Sequence, residues 1–70
     1  MSMEEKFPDR LRRLRREKGV SGKVAGDFCG VSASAVCRYE KGDREPDMQT
    51  IIKLSEYFGV TTDYLLGKEK

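Results

Sequence analysis

The chain has no histidine and no tryptophan, only two cysteines and two prolines, and no long apolar run. Without histidine, a serine or cysteine nucleophile lacks its usual base, so covalent catalysis is a poor fit and no enzyme is expected. Cys29 and Cys37 form no metal-ligand pattern, and no metal or other cofactor is expected. Gly22-Lys23 is not a phosphate loop, because the required earlier glycine is missing and Val24 follows the lysine. No stretch approaches the roughly 20 apolar residues of a membrane span, and no secretory signal precedes the basic first helix. The expectation is a cytoplasmic protein with reduced thiols. Seventy residues make one domain, with no visible small-molecule effector site and no room for a separate sensing domain. A core of that size supplies only ~3–5 kcal/mol, so its helices need good caps and close packing.

Net charge is also small, +2, with 14 Lys and Arg against 12 Asp and Glu. Its distribution says more. Residues 1–18 carry seven basic against four acidic side chains, residues 19–46 four against four, and residues 47–70 three against four. The surplus sits on the first helix, with Arg38, Lys41 and Arg44 added later. A solvated helix face accounts for most such runs; beside a suitable corner, basic groups at a helix rim are natural phosphate contacts.

What the chain does have is punctuation. Gly19, Gly30, Gly42, Gly59 and Gly67 divide it into five helical segments, with no strand signal between them. Residues 1–6 read as a loose N-terminal tail, 7–67 as the domain, and 68–70 as a C-terminal tail. The first helix begins near Pro8 or Asp9, with Phe7, Leu11 and Leu14 facing the core. Asp47 caps a fourth helix whose apolar face is Met48, Ile51, Leu54, Ser55 and Phe58. Thr61 or Thr62 caps a short fifth. Tyr39, Tyr57 and Tyr64 lie on helical apolar faces, where packing explains them.

The organising stretch is VSGKVAGDFCGVSASAVCRYEKG, from Val20 to Gly42. Ser21 and Ser32 are N-cap residues, and only Gly30, Val31 and Ser32 remain to turn the chain between two short helices. That is the length of a helix-turn-helix corner, whose second helix can lie in a DNA major groove. Gly26, in mid-helix, costs ~1 kcal/mol relative to alanine and so marks a close helix crossing. On the second helix of the pair, Val36, Tyr39 and Glu40 share one face. Ala33, Ser34, Cys37, Arg38 and Lys41 share the other. An ordinary α-hairpin is the bland alternative; glycine, small residues and turn length together favour the corner.

The stretch from Leu11 to Gly67, with its pieces LRREKG, VSASAVCRYEKG and GVTTDYLLG, resembles the phage-repressor/Cro type of helix-turn-helix regulator, the XRE family. The resemblance runs from about Phe7 to Gly67. It implies an all-α, compact five-helix, lambda-repressor-like domain that binds double-stranded DNA as a transcriptional regulator, read as a repressor. It also implies a homodimer on a pseudo-palindromic operator, formed through the last helix and its approach, with Tyr57, Thr62, Tyr64 and Leu66 as candidates. An arginine at the place of Arg15 pairs, in that family, with the glutamate ending the recognition helix, here Glu40. Removing one partner of such a buried pair costs ~3–5 kcal/mol.

For contact to DNA, Arg38 is the one long side chain on the free face able to make a bidentate contact to guanine. Ala33 can touch a thymine methyl, Ser34 can reach a base edge or phosphate, and Ser32 and Cys37 are placed with them. Lys41 and Arg44 suit phosphates. The resemblance adds Ser21, Gly22 and Lys23 against the backbone. Cys37 is read as a small side chain tolerated in the groove. Gly22, Ala33 and Cys37 stand where the family often has longer polar residues, so Arg38 carries an unusual share. Val24 and Phe28 stand where polar residues are usual. Either the helix rolls to bury Phe28, which is the preferred expectation, or the pair leaves an apolar surface patch. The rival function is a protein-interaction module, antirepressor or antitoxin-like, that keeps the fold.

Overall fold

The computed structural model describes residues 5–68, which form α1 (Phe7–Lys18), α2 (Gly22–Cys29), α3 (Ala33–Lys41), α4 (Met48–Phe58) and α5 (Thr62–Leu65). Each start has a local cause. The hydroxyls of Ser21, Ser32 and Thr61 and the carboxylate of Asp47 accept hydrogen bonds from the backbone N–H three residues on, at 2.8–3.1 Å. α1 lacks such a cap and starts instead with Pro8 in its first turn. It begins at Phe7, one residue ahead of the position expected from proline alone. Arg15, Arg16 and Lys18 fill its last turn, where cations meet the negative end of the helix dipole.

Leu11, Cys29, Ala35, Tyr39, Leu54 and Leu65 form the buried centre, one or two from each helix. Phe7, Leu14, Val31, Ile51, Phe58 and Val60 close around it. The α2–α3 corner depends on Gly26. A Cβ there would stand 2.6 Å from the Val31 carbonyl oxygen and 3.2 Å from a Val36 methyl. Only a residue without a side chain lets the turn fold back onto α2 this closely.

Three expectations are corrected. Phe28 is 54% exposed rather than buried. Rolling α2 to bury it would carry Gly26 out of its slot and bring a Cβ against the Val31 carbonyl. The ring instead lies against Tyr57, centroid to centroid 4.7 Å, and Val24 beside it is also exposed. Met48 is 69% exposed, because α4 packs through Ile51, Leu54 and Phe58 and its first residue lies outside that face. Glu5 does not belong to a loose tail. Its carboxylate accepts from Arg10 Nε at 3.1 Å and from Arg13 Nε and Nη2 at 2.8 and 2.9 Å. The rest of the expected tails, residues 1–4 and 69–70, lie outside the described residues.

Candidate nucleic-acid interface

α3 is split along its length. Ala35, Val36, Tyr39 and Glu40 are buried, whereas Ala33, Ser34, Cys37, Arg38 and Lys41 are exposed. The inner face is fixed by more than apolar packing. Arg15 Nε and Nη2 donate to the two carboxylate oxygens of Glu40 at 2.5 and 3.0 Å, and its Nη1 donates to the Val20 carbonyl at 3.1 Å. One guanidinium thus ties α1 to α3 and to the residue that leads into α2. Glu40 in turn pushes the Arg15 pKa up through this hydrogen bonding. Arg12 Nη2 donates to the Glu40 carbonyl at 3.1 Å, a cation set on the carboxyl end of α3.

The start of α2 sits beside the exposed face of α3. Ser21, Gly22 and Lys23 line one side of a cleft, Ala33 and Cys37 the other, and Arg15 and Glu40 also border it. Lys23 Nζ pairs with Asp27 at 3.0 Å, both fully on the surface, so the pair contributes little to stability. Arg38 and Lys41 have no ion-pair partner among the described residues, which leaves both guanidinium and ammonium free to meet an anion. Arg44 is exposed in the loop after Gly42, within electrostatic range of Asp47. Ser32 is exposed, but its hydroxyl is occupied in capping α3.

The corner therefore brings together Ser21, Gly22, Lys23, Ala33 and Cys37, with Ser34, Arg38 and Lys41 continuing along the same free face of α3. The residues expected at a dimer surface divide differently. Tyr57 stacks on Phe28, with Lys18 Nζ 4.9 Å from its ring centroid. The Tyr64 hydroxyl accepts from Arg13 Nη2 at 2.8 Å, and Arg10 covers its ring at 4.2 Å. Thr62 and Leu66 are half-buried, and Leu66 borders a groove with Phe7, Pro46 and Ile51. Sequence reasoning missed Arg10, which is buried and donates to the Tyr64 carbonyl at 2.7 Å. Its signal was present: a charged residue at the i−1 position to Leu11, on the core side of α1.

The helix-turn-helix family pattern matches residues 11–65. The SPbeta prophage-derived HTH-type transcriptional regulator YonR of Bacillus subtilis is 43% identical over 60 residues, 86% of this chain and 56% of that protein. The HTH-type transcriptional regulator ImmR of Bacillus subtilis is 38% identical over 61 residues, 87% of this chain and 48% of its own length. The chain thus spans about half the length of these relatives. Among solved structures, the P22 c2 repressor in complex with a synthetic operator superposes with a TM-score of 0.88 at 26% identity, covering 93% of this chain and 98% of that one. A transcriptional regulator from Listeria innocua gives 0.87 at 28% identity, covering 97% and 64%. With five helices in this order around a glycine-locked corner, and with these likenesses, the chain belongs to the phage-repressor-like, XRE-type helix-turn-helix family of transcriptional regulators.

Proposed function

We propose that this chain binds double-stranded DNA through α3 and regulates transcription, as a repressor, from the cytoplasm and without catalysis. The observation that carries this reading is the split of α3. One face is locked inward by Arg15 and Glu40, and the other holds Arg38 and Lys41, which have no ion-pair partner among the described residues. In this reading α3 enters the major groove, and Arg38 contacts guanine O6 and N7. Ala33, Ser34 and Cys37 approach base edges. Ser21, Gly22, Lys23, Ser32, Lys41 and Arg44 face the sugar-phosphate backbone. No described helix is long and apolar enough to cross a membrane, which agrees with a partner in solution.

The working form is a homodimer on a pseudo-palindromic operator, its two α3 helices ~34 Å apart. All four candidates at that interface, Tyr57, Thr62, Tyr64 and Leu66, are half-buried, and Tyr57 and Tyr64 also serve ring contacts within the chain. Selecting bound fragments from a random duplex pool tests the reading. The intact chain should enrich one motif with two-fold symmetry, and Arg38→Ala should flatten the preference at the positions it reads by ~1–3 kcal/mol. Enrichment of no motif above the unselected pool contradicts it. The exposed Val24 and Phe28 favour the second reading, an interaction module of antirepressor or antitoxin-like kind, in which duplex binding is weak.

A further inference from the structure

The chain exposes two apolar pairs that the DNA-binding reading leaves unused. Val24 and Phe28, four residues apart on α2, are 48% and 54% exposed; Met48 and Ile52, four apart on α4, are 69% and 42% exposed. Once Asp27 is offset by its pair with Lys23, and Arg44 by Asp47 in its electrostatic range, the charges that remain at the two patches are opposite in sign. Phe28 rests on Tyr57, over which Lys18 Nζ stands at 4.9 Å, and Lys53 lies one helical turn before Tyr57, within electrostatic range of Cys29. Met48 and Ile52 continue into Glu56 at the next turn and follow Glu45 in the preceding loop, both exposed. Among the described residues no carboxylate lies within ion-pair distance of Lys18 or Lys53, and no cation within that distance of Glu45 or Glu56.

Position matters as much as charge. Met48 and Tyr57 are nine residues apart on α4, which at 100° per residue puts them on opposite sides of that helix. The two patches therefore look away from each other. On α2, Phe28 lies about 200° around from Gly26, the residue that meets α3. Neither patch overlaps the free face of α3, so a partner seated on them leaves that face open.

We infer that a second copy of this chain covers these patches head to tail, the lysine-bordered Val24–Phe28–Tyr57 surface of one copy seating on the glutamate-bordered Met48–Ile52 stripe of the next. Unlike faces meeting this way repeat from copy to copy, whereas a two-fold contact stops at a pair. The arrangement would let copies on adjacent DNA sites touch side by side, but the contact itself requires no DNA.

Sedimentation velocity of the intact chain over a concentration series, without DNA, tests it. The wild-type mass should rise with concentration past that of a pair, where a two-fold contact would stop. Phe28→Ser and Ile52→Ser should each weaken that growth by about tenfold or more, the equivalent of ~1.4 kcal/mol. Mixing the two variants should give mixed pairs and nothing larger, because each keeps the one face the other lost. Lys53→Glu, at an exposed position, should also weaken growth, and adding Glu56→Lys in the same chain should recover it. Circular dichroism checks that Phe28→Ser stays helical; if it unfolds, the Lys53 and Glu56 pair of variants decides. A wild-type mass that does not change, or that stops at a pair, overturns the inference. So does growth by Phe28→Ser equal to that of the wild type, or a mixture no heavier than its parts.

Discussion

Two glycines four residues apart on α2 show how much a single hydrogen-for-methyl exchange depends on its surroundings. At Gly22 an added Cβ would meet Val36 at 3.6 Å, ordinary van der Waals contact. At Gly26 it would stand 2.6 Å from a backbone carbonyl that cannot move without opening the turn. Gly22→Ala should therefore be tolerated, gaining up to about 1 kcal/mol from the lost flexibility of the unfolded chain. Gly26→Ala should lose about 1–3 kcal/mol through overpacking. Urea midpoints of the two variants check the contrast, and equal midpoints would contradict the close approach at Val31. Glu5 makes a second residue-scale case. Hydrogen bonding to Arg13 holds its carboxyl below the ordinary value near 4.5. A depressed carboxylate stabilises the fold above that ordinary value, and its contribution disappears as pH falls through the lower, folded-state one. Glu5→Gln should thus lower the melting temperature at neutral pH, and the gap to wild type should close at pH values well below 4.5. A gap that does not depend on pH would mean the ion pairs to Arg10 and Arg13 contribute nothing.

At the scale of the elements, α3 is positioned by charge as well as by packing. Arg15 and Glu40 are largely buried, so removing either strands the other. Arg15→Ala or Glu40→Ala alone should cost about 3 kcal/mol, and the double variant clearly less than the sum of the two. Strict additivity in chemical denaturation would contradict a direct pair. Replacing the α3 cap, Ser32→Ala, should cost about 1 kcal/mol, since the Ala35 N–H loses its acceptor. These helices were legible because their causes are local: a serine, threonine or aspartate at each start, a glycine near each end, and apolar residues at helical spacing. The contacts that were not legible join distant parts of the chain. Arg10 and Arg13 reach Tyr64 across 54 and 51 residues; helical spacing sets Arg10 at the edge of the Phe7–Leu11–Leu14 stripe, but no local pattern names the distant residue it meets. The roll of α2 was misjudged for a related reason. A large ring was weighed against a small core, whereas the deciding contact is a glycine against a carbonyl on the far side of the same helix.

For the whole molecule, the distribution of unpaired charge decides what it can hold. Most of the arginines on α1 are consumed internally by Glu5, Glu17, Glu40 and backbone carbonyls, so the surplus of the first eighteen residues is largely spent on holding the fold. The positive groups beside the corner with no ion-pair partner among the described residues, Arg38, Lys41 and Arg44, are few. On the proposed reading, so few phosphate contacts per copy predict weak binding as a monomer, with pairing on a two-fold site as the route to useful affinity. The measurement that bears most directly on this is duplex affinity as a function of salt concentration, for the wild type and for Lys41→Ala. The logarithm of the wild-type affinity should fall linearly with the logarithm of salt, by about 0.9 for each phosphate engaged. Lys41→Ala should weaken binding to all sequences alike and make that slope shallower by about one. A wild-type affinity that does not change with salt, or a Lys41→Ala slope equal to it, would contradict α3 as the surface that meets DNA.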